Sequence, residues 1–304
     1  MRRALLVPLL AGALSAQSQS ERITYTYGLD GRKVESSRVE SNAVTAETVR
    51  NLNGQTVPTE RTREQILTNT SELKITERII QLFDSNGRPT GQTKVRIEQR
   101  PLPNGGVSTV ETISDADING SYTIRERTTS HANKSPGLAS TEVLSERPSI
   151  NGDLSLVEKR LTTRHGDDNR YREETAIYRA GDRGAFVETE RELRSYVTQG
   201  SRSTTEVERF NTNATGKMSL VARELRQADK QADGAESETV DIYGLNVAEY
   251  SAKPALRERQ SISRRATASG SIETLSVRAA DLVTGKLGPV QPISETVCRG
   301  ACRP

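Results

Sequence analysis

Beyond about residue 20 the chain alternates short runs rich in Thr, Val, Ile and Tyr with breakers built on glycine. The runs are roughly ten residues long, a strand length, and β-branched and aromatic residues fit a pleated surface. Charged stretches such as Glu188 to Arg194 offer helix as the rival element. The density of Thr and Ser, with a glycine about every 14 to 18 residues, argues against it. The principal glycines, Gly54, Gly87, Gly120, Gly152, Gly184 and Gly216, lie 33, 33, 32, 32 and 32 residues apart, which defines a period. Asn precedes several of them, as at Asn86, Asn119 and Asn151, and Asp30-Gly31 opens the series out of phase. Such pairs predict two-residue hairpin turns, which need positive φ angles. Looser breakers at Asn104 to Gly106, Ser135 to Gly137, His165 to Asp167 and Gln199-Gly200 divide each period into strand, turn, strand, turn.

Side-chain chemistry recurs with the same period. Seven residues after each principal glycine stands a base: Arg61, Lys94, Arg127, Lys159, Arg191 and Arg223. Eleven residues before the next glycine, Thr76, Thr109, Thr141 and Thr205 recur, mostly followed by Glu. Stacked as coils of a parallel solenoid, the bases would form a ladder of like charges about 4.8 Å apart, which is destabilising. In an antiparallel meander a Thr-Glu strand separates them, and cross-strand Arg–Glu and Thr–Thr pairs become available. Read with strict alternation from Gly184, one face carries Phe186, Glu188, Glu190 and Glu192, and the other Val187, Thr189, Arg191 and Leu193. Neither is the apolar face that a sandwich or a filled barrel requires. The expected fold is all-β: an extended antiparallel β-meander of hairpin repeats of about 32 residues, forming an elongated twisted sheet wetted on both faces. Its composition and turn chemistry are similar to the single-layer sheet of spirochaete outer-surface lipoproteins. The turns Asn86-Gly87-Arg88 and Asp30-Gly31-Arg32 resemble those of YD-repeat shells. Together these likenesses imply a secreted bacterial hairpin-repeat protein.

Composition points the same way. Of the 304 residues 33% are hydrophobic and 4% aromatic, with no Trp, which is thin material for a compact enzyme core. The start has the three parts of a secretory signal: Arg2 and Arg3, an apolar run from Ala4 to Leu14, and small residues before Gln17. That run is too short for a spanning helix and contains Pro8. The expected organisation is a signal peptide over 1–16, a β-hairpin array over 17–250 and a divergent C-terminal cap with a Cys-containing tail over 251–304. No later run is apolar enough to span, so a secreted or periplasmic protein without a transmembrane segment is expected. Lys and Arg number 43 against 40 Asp and Glu, and loss of Arg2 and Arg3 brings the two nearly level. Interspersed charges of both signs lack the clustered basic face of a nucleic-acid binder.

Three local motifs carry candidate chemistry. Asp115, Asp117, Asn119, Gly120 and Glu126 fit the spacing of a calcium loop, but strands rather than helices flank it, and Gly120 and Glu126 already belong to the period. His165-Gly166-Asp167-Asp168 reads as a polar turn. Cys298 and Cys302 are the only thiols, and in an exported chain they predict a local disulfide. No nucleophile can be matched with a base, so neither a catalytic site nor a cofactor is expected. The function expected is a structural, adhesive or interaction role, with a protein or glycan surface as partner. The alternative is a periplasmic lipid or glycan carrier whose sheet curls into a trough.

Overall fold

The computed structural model describes residues 20–28, 30–42, 44–52, 55–103, 105–181, 184–213, 216–245, 254–281 and 284–300. The proposed signal peptide lies outside them. The described residues form eighteen strands: β1 Ser20–Tyr27, β2 Lys33–Ser41, β3 Thr45–Leu52, β4 Gln55–Asn69, β5 Lys74–Phe83 and β6 Pro89–Pro101. There follow β7 Val107–Ala116, β8 Tyr122–Ser135, β9 Leu138–Pro148, β10 Leu154–Gly166, β11 Arg170–Ala180 and β12 Phe186–Gln199. The last six are β13 Arg202–Thr212, β14 Met218–Lys230, β15 Glu236–Gly244, β16 Ala255–Thr267, β17 Gly270–Ala279 and β18 Gln291–Arg299. Each pairs antiparallel with the next, so the meander of hairpins forms as the sequence predicts.

The meander does not stay open. β18 pairs with β1 from Glu21↔Arg299 to Thr26↔Ser294, closing the sheet into a barrel. The open twisted sheet read from the sequence is therefore corrected: closure gives both end strands a partner, which an elongated sheet leaves without one. Followed across all the pairings and back to β1, the register advances by about 20 residues toward the C-terminal end of that strand. With ordinary strand spacing and rise, this stagger tilts the strands by roughly 37° and sets a backbone radius of roughly 17 Å.

The turns at the period glycines differ from the two-residue form. Gly87 N–H donates to the Asp84 carbonyl, and Asp84 N–H to the Arg88 carbonyl, so the loop has three residues with Gly87 at φ 74°. A type I turn closed by one left-handed residue gives this geometry. The same bonds recur at Asp117/Gly120, Ser149/Gly152, Gly181/Gly184 and Asn213/Gly216. The Asp84 and Asp117 carboxylates also accept backbone N–H groups of their own turns. These turns crown one rim, the glycine rim; Ser20 and Arg299 lie at the other, the terminal rim.

Five residues past the glycine, most of these hairpins carry one unpaired residue: Ser36, Thr59, Arg125, Val157, Thr189 and Val221 interrupt the register. Such a bulge bends the strand and raises its twist. It also reverses the alternation. Phe186 and Glu188 thus share a face with Arg191 and Leu193, while Glu190 and Glu192 lie on the other, which corrects the assignment made by strict alternation.

Handedness fixes which face points inward. Right-twisted strands wind a barrel as right-handed helices. Given the direction of the register advance, odd-strand residues that bond to the following strand face the lumen, and even-strand residues that do so face outward. The turn bond of Asp84 therefore places Leu82, Ile80 and Arg78 in the lumen, and that of Leu102 places Arg100 and Glu98 outside. Gly152→Val should lower unfolding free energy by at least about 1 kcal/mol, since Val resists positive φ, whereas Ser155→Val should change it by less than about 0.5 kcal/mol. Chemical denaturation of the two variants measures the difference.

Candidate functional site

The lumen wall is the candidate site, and the repeat supplies its chemistry strand by strand. From β11 to β17 an unbroken line of alternating charges runs around the inner face. Glu173 meets Arg194 at 3.9 Å, Arg194 meets Glu192 at 3.1 Å, and Glu192 meets Arg209 at 3.0 Å. Arg209 reaches Glu224 at 3.8 Å, Glu224 pairs with Arg226, and Arg226 meets Glu238 at 3.4 Å. Arg264 then joins Glu238 at 3.2 Å to Glu273 at 2.6 Å. Val207 and Val240 are buried beneath this line, and the side chains of Glu224 and Glu238 are only 10% and 12% exposed. The Arg194 Nε is a buried donor without a hydrogen-bond partner. Across the lumen, β1 to β7 present mostly hydroxyls and aliphatic groups: Ser20 bonds Ser41 at 2.8 Å, Thr93 bonds Asp115 at 2.8 Å, and Val39, Val95 and Ile97 lie among them. At the terminal rim, Tyr171 and Tyr196 stack inside the lumen with centroids 5.0 Å apart, and the Arg164 guanidinium covers Tyr171 at 3.7 Å.

The outer face carries the period's bases as a ring. Arg61, Lys94, Arg127, Lys159, Arg191 and Arg223 all point outward, and Arg38 and Arg259 extend the ring to β2 and β16. Neighbouring strands neutralise most of it, through Arg61–Glu47, Lys159–Glu142, Arg191–Glu174, Arg223–Glu206 and Arg259–Asp241. Closer to the glycine rim lies an outward collar that includes Tyr25, Phe83, Tyr122, Phe186, Phe210 and Tyr243. Four bases lie over its rings: Lys33 over Tyr25, Arg61 over Phe83, Lys94 over Tyr122 and Arg223 over Tyr243.

The motifs singled out in the sequence are dispersed. Asp115 faces the lumen and pairs with Arg125 at 3.1 Å, while the Asp117 carboxylate caps its own turn through the Asn119 and Ser121 N–H groups. Asp167 caps the turn at the terminal rim, and the N–H groups of Arg170 and Asn169 hold its carboxyl below the ordinary value. Cys298 lies in β18 opposite Arg22, and Cys302 falls outside the described residues. The lumenal Tyr pair and the charge line were not singled out from sequence. The signal was present, since Glu and Arg alternate along β12 to β14, but the bulges hide which of them share a face.

No family model and no curated protein matches this chain. Solved structures do. A triple mutant of the Rh. blastica porin superposes with a TM-score of 0.56 over 93% of this chain and 99% of its own, at 8% identity. Pseudomonas aeruginosa OpdO gives 0.53 over 93% and 95%, at 9% identity. At such identity the likeness shows the fold, that of a porin barrel. It overturns the resemblance to single-layer lipoproteins and YD-repeat shells, and the period of about 32 residues is the hairpin period of a closed barrel rather than a stackable repeat unit. It likewise overturns the adhesive or carrier role and the secreted or periplasmic, membrane-free placement. That placement rested on the lack of a long apolar run, a criterion that applies to helices; barrels cross with strands of about ten residues.

The lumenal charge line makes a stability prediction. Arg226→Ala should cost about 1–3 kcal/mol, because Glu224 and Glu238, both largely buried, each lose one of two arginine partners and keep only Arg209 and Arg264. Arg32→Ala, which removes an exposed turn pair, should cost less than about 0.5 kcal/mol. Parallel denaturation curves decide it.

Proposed function

We propose that this protein is a porin-type conduit of the outer membrane, passing small polar solutes through its lumen, and that it performs no catalysis. The observation that carries the reading is a closed eighteen-strand wall whose inner face is lined by paired charges and hydroxyls. Barrels of 16 to 18 strands are wide enough to hold water along their axis. Among the described residues, turns at both rims bond across their own hairpins or to the adjacent one, and wall side chains line the passage. Alternating signs along the lumen favour neither cations nor anions strongly, which suits neutral and zwitterionic solutes. The local Cys298–Cys302 disulfide remains part of this proposal, as a clasp at the terminal rim.

Conductance of the purified protein in planar lipid bilayers tests the reading. Stepwise currents with a reversal potential near zero in a salt gradient are expected, and Arg194→Glu with Arg209→Glu should shift it toward cation selectivity. A protein that yields no steps, or whose selectivity ignores these two substitutions, contradicts the proposal.

A further inference from the structure

Two aromatic rings stand inside the lumen beside the terminal rim, and the wall treats their two sides differently. Tyr171 on β11 and Tyr196 on β12 are direct cross-strand partners, with ring centroids 5.0 Å apart and planes 24° from parallel. That separation is close to one strand spacing, so the rings stack along the wall from strand to strand. On the β10 side the partner of Tyr171 is Gly166, at φ 119°, where a Cβ would come within 2.2 Å of the Arg170 carbonyl oxygen. With no side chain at Gly166, the Arg164 guanidinium lies over the free face of Tyr171 at 3.7 Å and pairs with Asp168 at 3.0 Å. A flat group thus fills that lane. On the β13 side the partner of Tyr196 is Thr205, again small, and Thr205 in turn pairs with Arg226 on β14. The neighbouring guanidiniums are drawn away from this second lane: Arg194 toward Glu173 and Glu192, Arg226 toward Glu224 and Glu238. From Tyr196 to β14 the wall spans two strand spacings, about 9.6 Å, which takes one more ring at the same pitch.

We propose that the lane over Thr205 is a binding subsite of the lumen for a flat heteroaromatic solute, which stacks on the open face of Tyr196 and continues the row of planes begun by Arg164, Tyr171 and Tyr196. This rests on the proposed conduit and deepens it, by naming a class of solute that the terminal-rim mouth retains. Stacking on an aromatic side chain accepts many ring types, because every such ring has a π face, and an electron-poor ring suits the electron-rich face of Tyr. The hydroxyls of Thr205 and of its lumenal neighbour Ser203 can both donate to and accept from a ring edge that carries nitrogen. A neutral purine meets both conditions and suits a wall whose charges alternate in sign. A sugar offers hydroxyls but no plane to extend the row.

Adenosine is the probe, and ribose is the same solute without its flat ring. Equilibrium dialysis of radiolabelled adenosine against the folded, detergent-held barrel should give saturable binding that an excess of ribose does not displace. Tyr196→Phe keeps the ring and should hold the affinity within about twofold, whereas Tyr196→Ala should lower it about tenfold. Thr205→Trp fills the lane with a ring of its own and should abolish binding. Tyr178→Ala, on the outer wall opposite Lys159, should leave the affinity unchanged. Thr205→Trp retains both tyrosines, so it decides the question if the alanine variant fails to fold. Absence of saturable binding to the unaltered protein, undiminished affinity in Tyr196→Ala or Thr205→Trp, or displacement by ribose, which would make the ligand a sugar, each overturns the inference. Adenosine binding without any bilayer current would defeat the conduit and leave the subsite standing, whereas current without adenosine binding would do the reverse.

Discussion

The hydrogen bonds between β1 and β18 are the constraint on which the rest depends. Six residues of each strand, from Glu21↔Arg299 to Thr26↔Ser294, join segments about 270 residues apart in sequence. Without them the meander has two unpaired edges, and long exposed edges invite pairing with other chains. With them the stagger of about 20 residues is set, and with it the tilt, the radius and the separation of an inner from an outer face. Side chains that a flat sheet would leave equally wet become either lumen wall or outer surface.

Bulges distribute the charges between those two surfaces. A strand with uninterrupted alternation would carry Phe186 and Glu190 on one side, and the extra residue at Thr189 sends Phe186 outward and Glu190 inward. Repeated five residues after most period glycines, this device keeps aromatic groups outside at the glycine rim while acids and bases interleave within. Individual exposed ion pairs contribute little to stability. Their linkage along the lumen matters more, because Glu192, Glu224 and Glu238 each answer to two Arg residues, and loss of one Arg weakens two carboxylates of the line at once.

Much of this local order was legible in the sequence. The glycine period, the antiparallel order and the pairing of Arg with Glu across strands follow from spacing and like-charge repulsion, and Thr162–Thr175 at 2.9 Å is the kind of hydroxyl pair that reasoning anticipated. Closure was not legible, because it is a single long-range pairing whose strands, Ser20–Tyr27 and Gln291–Arg299, carry no mark that distinguishes them as partners. Nor were the faces. A bulge costs one residue and leaves composition unchanged, so strict alternation mixed inner and outer residues and suggested a sheet without an inside. The Tyr171–Tyr196 pair was hidden for the same reason, since adjacency across β11 and β12 depends on register rather than spacing.

The most direct test of closure is a cross-link over the seam. Thr24 and Thr296 face each other across β1 and β18 with hydroxyls 3.4 Å apart. In the double variant Thr24→Cys/Thr296→Cys, with Cys298 and Cys302 replaced by Ser, mild oxidation should form an intramolecular disulfide in nearly every folded monomer, read as a mobility shift on non-reducing gels. An open sheet holds these positions tens of ångströms apart, about one strand spacing for each strand between them. Folded monomers whose two thiols stay free under the same oxidation would contradict the closed barrel.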